Sequence, residues 1–254
     1  MSPSHIALLL VAGLAAGTVN AIAGGGSLIT FPALLAIGLP AKPANFTNSV
    51  SVCPGYLASV YGNRAELAGR RSELLRLVPT TALGTLTGSL LLRATPAGAF
   101  QVIVPFLVIG AALVLAFQQR LRAVVGQPAQ LSRRRRMAGM HTVVGVGAVY
   151  GGYFGAALGV MLVAGLGLVL DEALTRINAL KNAASAVVGL VTVLVFTLVG
   201  RVDWAAVAAL APATLVGGYL GARLARLLPA AALRVTIVAF GLIVGGYLLI
   251  TALR

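Results

Sequence analysis

The chain has 254 residues, of which 59% are hydrophobic and only 9% charged, and a mean hydropathy of +0.99. Soluble domains carry about a quarter charged residues, so a water-facing globule, a soluble enzyme and a disordered chain are all excluded. The 19 Lys and Arg against 5 Asp and Glu give a net charge of +14, which in so apolar a chain reads as basic cytoplasmic loops rather than as a nucleic-acid surface.

What remains is an integral membrane protein, and a spanning helix needs ~20 apolar residues. Apolar runs follow at 5–23, 27–38, 44–61, 74–92, 99–118, 138–155, 158–170, 177–199, 204–225 and 232–253. The first run ends in Ala21-Ile22-Ala23, a pattern like a signal-peptide cleavage site. No Lys or Arg precedes it, and the run has a counterpart later in the chain, so it is read as mature protein. Turn residues punctuate the breaks, as at Gly38-Leu39-Pro40 and Gly62-Asn63-Arg64. The one credible linker is 119–136, which ends in Arg133-Arg134-Arg135-Arg136, a cytoplasmic anchor by composition or, alternatively, a lipid-headgroup or RNA site. The acids Glu66, Glu73, Asp171, Glu172 and Asp203 all sit near breaks in the apolar pattern.

The sequence repeats itself at an offset of 133. Gly26 falls on Gly159, Asn45 on Asn178, Pro79 on Pro212, Thr81 on Thr214, Gly84 on Gly217, Gly88 on Gly221 and Pro96 on Pro229. This predicts two homologous halves, residues 1–118 and 137–254, around the linker 119–136. Internal duplication is a common plan of secondary transporters, with the site where the halves meet.

Each half opens on a broken apolar stretch. Gly24-Gly25-Gly26-Ser27 interrupts residues 5–38, and Gly151, Gly152, Gly155 and Gly159 interrupt 138–170. Two readings apply. One is a single tilted helix with small-residue packing. The other, preferred, is a re-entrant hairpin, tolerated at membrane depth where its tip is buried in protein or lines a cavity. The fold class is thus an all-α polytopic membrane protein. Its two halves each hold a glycine-broken hairpin and three spanning helices, arranged as inverted repeats. Eight spans in parallel repeats are the alternative. With Lys181 set aside, inversion puts 14 Lys and Arg inside and 4 outside, against 12 and 6 for the parallel arrangement, which favours inversion.

Polar groups inside apolar segments need a reason. Asn20 precedes the first glycine tip; Asn45, Asn48 and Ser49 share one helix face after it, and Asn178, Lys181 and Asn182 share the equivalent face of the second half. Hairpin tips expose helix N-terminal N–H groups suited to anions, and glycine lets an anion approach the backbone. The predicted anion site is Asn20, Gly24, Gly25, Gly26, Ser27, Asn45, Asn48, Ser49, Gly155, Gly159, Asn178, Lys181 and Asn182. The competing reading has Lys181 reaching to the interface and the asparagines capping helices. Pro54, Cys53, His5 and His141 are weaker candidates. The sequence holds no HExxH, CxxC, Walker or Ser-His-Asp pattern, so no catalytic residue, metal or cofactor is expected.

The stretch Ala23-Gly24-Gly25-Gly26-Ser27-Leu28-Ile29-Thr30-Phe31-Pro32, with Gly38-Leu39-Pro40 and Ala44-Asn45-Phe46-Thr47-Asn48 after it, resembles the first-half signature of the TauE/SafE sulfite exporter family. Tyr150 to Gly159, Asn178 to Asn182 and Gly200-Arg201-Val202-Asp203-Trp204 resemble its second half. The resemblance covers nearly the whole chain. It implies a bacterial inner-membrane transporter, a multi-pass protein exporting sulfite or a small organosulfur anion by alternating access. The partners it implies are that anion and membrane lipid, with no nucleic acid; an oligomer is compatible with it. The alternatives are an importer or a carrier of another small anion, then an intramembrane enzyme or a non-transporting membrane subunit.

Overall fold

The structure is a computed structural model that describes residues 1–22, 24–117, 120, 132–224 and 230–252. All its regular structure is helical. In chain order the helices are α1 (Pro3–Ile22), α2 (Ser27–Ala36), α3 (Ala41–Gly62), α4 (Arg71–Ala94), α5 (Ala97–Ala116), α6 (Arg133–Tyr153), α7 (Leu158–Val169), α8 (Leu174–Val199), α9 (Trp204–Leu224) and α10 (Ala230–Ala252). Each falls on one of the ten apolar runs. Several begin earlier than the run does, because the first turn is polar. Arg71-Ser72-Glu73 opens α4, and Arg133–Arg136 opens α6 inside the expected linker. Residues 118–119 and 121–131, most of that linker, lie outside the described residues.

The helix starts keep the spacing of the sequence repeat. Ala41 and Leu174, Arg71 and Trp204, and Ala97 and Ala230 are each 133 apart. Neither broken stretch continues as one rod. Along α6 and α7, Gly151 lies against Leu158, Gly147 against Leu162, Val143 against Gly165 and Gly139 against Val169. Falling residue numbers matched with rising ones mean that α7 runs back along α6. Likewise Gly26, at the head of α2, rests on the Ala16 carbonyl of α1. The arms are unequal: α1 and α6 have 20 and 21 residues, α2 and α7 only 10 and 12. At ~1.5 Å per residue a short arm reaches ~15–18 Å, about half a bilayer core. The first tip turns on Gly24 and Gly25, with φ of 80° and 98°. At the position equivalent to Gly24 the second tip has Ala157 at φ 56°, the only non-glycine residue with positive φ among those described.

Packing exchanges elements along the chain. Helix α1 lies on α9, and α6 on α4, through glycine faces that bring backbones together. Gly17 meets the Thr214 carbonyl and Gly217 the Leu14 carbonyl. Gly88 meets that of Val149, and Gly152 that of Thr85. Small residues at such crossings give the van der Waals contact that holds membrane helices together in the absence of a hydrophobic effect between them. Helix α3 packs on both α9 and α8, and α5 pairs with α10 at one edge. The outer faces are apolar: Val11, Leu83, Leu194, Leu198 and Ile243 are all largely exposed. Water would not tolerate so much apolar surface, but lipid does. Among the described residues five helices are long and apolar enough to cross a bilayer, namely α1, α4, α5, α8 and α9.

Candidate functional site

The two glycine tips meet inside the bundle. A Cβ at Gly24 would stand 2.6 Å from the Cα of Gly159, and one at Gly159 would stand 2.8 Å from the Cα of Gly24. Only glycine at both places lets the backbones touch. The polar faces of α3 and α8 close on this junction from the two sides.

Those faces serve the ends of α1 and α6. The last carbonyls of a helix have no partner within it and carry the negative end of its dipole. Lys181 Nζ donates to the Asn20 carbonyl at 2.6 Å, and Asn178 Nδ2 donates to the Ala21 carbonyl at 2.8 Å. Asn182 Nδ2 approaches the same Ala21 oxygen at 3.5 Å. Across the junction, Asn45 Nδ2 donates to the Tyr153 carbonyl at 2.9 Å. Each tip-forming helix is therefore capped by a side chain from the polar face of the other sequence half. Lys181, 1% exposed, places its charge against the negative end of α1. Because a carbonyl only accepts, these amides are fixed with Nδ2 toward it. Their Oδ1 atoms, on Asn45, Asn178 and Asn182, are buried without a partner, as is Ser185 Oγ.

At the first tip the Gly26 N–H, an expected anion donor, is taken by Asn20 Oδ1 at 2.7 Å. Asn48 Oδ1 accepts from Thr30 Oγ1, which ties α3 to α2. Beside these lies a cavity of about 20 Å³ bordered by Ser27, Asn48, Ser49, Gly155, Thr192 and Phe154, among others. That volume suits one water-sized particle, so an oxyanion enters only if the helices move apart. Of the sequence-predicted residues, Ser27, Asn48, Ser49 and Gly155 line this cavity. Asn45, Asn178, Lys181 and Asn182 face helix ends, while Gly24 and Gly159 face each other and Gly25 faces Leu115. Sequence reasoning passed over Thr192 and Tyr56 in the cavity wall. The position of Thr192 at 133 from Ser59 was the available signal for it. Among the described residues no group of three His, Cys, Asp or Glu side chains could hold a metal ion.

The chain is similar to known proteins. Residues 9–248 match the family described as Sulfite exporter TauE/SafE. The chain is 32% identical over 231 residues to "Probable membrane transporter protein YfcA" of Escherichia coli strain K12, covering 88% of this chain and 80% of that one. It is 28% identical over 224 residues to a "Probable membrane transporter protein" of Haemophilus influenzae strain Rd, covering 86% and 84%. It is 31% identical over 179 residues to "Probable membrane transporter protein ORF9" of a Sinorhizobium species, covering 67% and 66%. No solved structure matches it. A bundle of lipid-facing helices, a sequence match over nearly its whole length and bacterial transporter relatives lead to one conclusion: this multi-pass inner-membrane protein belongs to the TauE/SafE sulfite exporter family of membrane transporters.

Proposed function

We propose that the protein is a secondary transporter that exports sulfite or a small organosulfur anion by alternating access. The observation that carries this reading is the meeting of Gly24 and Gly159 next to a small polar cavity inside an apolar bundle. Broken helices at equivalent places in two halves are a common form of transporter site. The cavity offers hydroxyl and amide groups from Ser27, Asn48, Ser49 and Thr192. Lys181, held at the α1 end one contact away from Gly159, supplies positive potential without gripping the anion directly.

In the same proposal the hairpins are re-entrant and the halves inverted. Support comes from the antiparallel contacts along α6 and α7 and from which helix ends lie together. The start of α3 lies near the end of α4, where Lys42 Nζ donates to the Arg93 carbonyl at 3.1 Å. The end of α3 meets the end of α9 through stacked Tyr61 and Tyr219, 6.2 Å apart. Inversion places the arginine-rich starts of α4 and α6 on the cytoplasmic side.

The test is flux in proteoliposomes across sulfite, sulfonates, thiosulfate and non-sulfur anions. Sulfur oxyanions are expected to move outward with respect to the cytoplasmic face, and Asn48→Ala to lower flux at least tenfold with folding kept. Lys181→Ala is expected to lower both flux and thermal stability, because it leaves the Asn20 carbonyl unpaired, a loss of about 1–3 kcal/mol. Wild-type flux in Asn48→Ala removes the cavity from the route, and inward-only movement makes the protein an importer.

A further inference from the structure

One titratable cluster takes no part in the central site. Glu172 lies between α7 and α8, with its side chain only 9% exposed. Its Oε1 accepts from Nη2 of Arg70, in the loop before α4, and from Nη2 of Arg136, in the first turn of α6, at 2.7 Å for the latter. Glu73, in the first turn of α4, bonds Arg70 at 3.3 Å and lies 3.8 Å from Arg136. Two guanidinium groups closing on one carboxylate oxygen is the arrangement proteins use to bind oxyanions. The match is incomplete, since Glu172 Oε2 and Glu73 Oε1 are buried with no hydrogen bond.

The cluster stands over a seam. Directly beneath it a cavity of about 50 Å³ separates α8 from α4 and α6, lined by Leu74, Leu77, Val144, Leu180, Ala184 and Val187 among others. Its inner end at Val187 adjoins Val188, which borders the polar central cavity. Two separate cavities, that of the seam and the central one, thus lie along roughly 20 Å of α8 between the arginine-rich end and the proposed site. The opposite end lacks this arrangement. The positions 133 away from Arg70, Glu73, Arg136 and Glu172 are Asp203, Ala206, Pro3 and Leu39. There Asp203 Oδ1 accepts from the Ala206 N–H, as a cap on the start of α9.

We propose that Arg70 and Arg136 form a docking site for the transported oxyanion at the mouth of this seam, and that Glu172 fills it as an internal surrogate while the seam is closed. The proposal rests on the anion-transport reading above. An arriving anion displaces the Glu172 carboxylate from the two arginines. The segment between α7 and α8 is then released, α8 parts from α4, and the seam opens toward the central cavity. Glu73 holds Arg70 and Arg136 in place during the exchange.

The experiment uses full-length protein in proteoliposomes of known orientation, with sulfite supplied at the arginine-rich face. Removing the surrogate with Glu172→Gln is expected to lower the half-saturating sulfite concentration at least threefold. Arg70→Gln and Arg136→Gln are each expected to raise it at least tenfold. In a Cys53→Ser background, Ala184→Cys is expected to react with a membrane-impermeant thiol reagent at least fivefold faster when Glu172→Gln is added. Thermal unfolding in detergent screens for misfolding, and Glu172→Asp, which keeps the charge but reaches the arginines less well, stands in if Glu172→Gln alone does not fold. Half-saturation unchanged in all variants, with wild-type flux present, overturns the docking site and leaves the transport reading intact. A wild-type protein that moves no anion of the panel overturns both. Unchanged labelling of Ala184→Cys overturns the seam as the route.

Discussion

The seam between α8 and α4 and its counterpart between α3 and α9 are built from equivalent stretches of sequence, yet they pack differently. At the α3/α9 crossing, Ser51, Gly55, Ser59 and Gly62 form a ridge of small residues one turn apart. Thr214 Oγ1 donates to the Ser51 carbonyl at 2.7 Å, and Gly218 rests on the Gly55 carbonyl. The Asp203 N–H donates to Thr47 Oγ1 at 2.9 Å at the mouth. On α8 the equivalent residues are Ala184, Val188, Thr192 and Val195, and Leu180 replaces Thr47. Thr81, the counterpart of Thr214, bonds the Leu77 carbonyl of its own helix instead. Among the described residues no side-chain hydrogen bond joins α4 to α8. The lesson is that equivalent stretches of one chain can close one seam through glycine contacts and leave a cavity in the other between branched apolar side chains. Under the alternating-access reading proposed above, each seam must be able both to close and to open.

Five substitutions probe the contrast. The largest effect is expected from Gly218→Leu, because the new side chain meets the Gly55 backbone rather than a movable group. A loss of about 3 kcal/mol or more is expected as a collapse of thermal stability in detergent. A stable Gly218→Leu protein would mean the crossing is looser than described. Next comes a matched pair, Ser51→Leu and Ala184→Leu. The first drives bulk into a closed interface beside Thr214, at about 2 kcal/mol. The second fills the 50 Å³ space, keeps or raises the melting temperature, and slows flux by holding the seam shut. Equal destabilisation by both would erase the distinction between the seams. A smaller effect is expected from Thr214→Val, about 0.6–1 kcal/mol for one interhelical bond. Thr81→Val should cost only a few tenths, since its hydroxyl serves its own helix.

Much of the architecture was legible because membrane helices announce themselves by apolar length, and three pairs of helix starts recur at the offset that glycine, proline and asparagine keep in the sequence. The polar faces carrying Asn45 and Lys181 were legible too, as periodicity. Their partners were not. That Lys181 serves the carbonyl of Asn20 depends on α8 crossing the end of α1, and a helix-face pattern carries no information on what faces it. The same holds for Arg70 and Glu172, 102 residues apart. Each lies at an ordinary break in the apolar pattern, and only tertiary packing brings them together. The tip at Ala157 was hidden for another reason. Its left-handed backbone is imposed by the junction with the other tip, against the preference of alanine.

The exchange of partners between α1 and α9, and between α6 and α4, bears on how the protein is made. When α1 leaves the ribosome its glycine face has no mate, because α9 begins some two hundred residues later. Helix α4 waits likewise for α6. The first half in isolation would keep two backbone-exposing grooves open to lipid, and so would the second. Assembly is therefore a long-range event, in which the groove of α4 waits for α6 and that of α1 for the later α9.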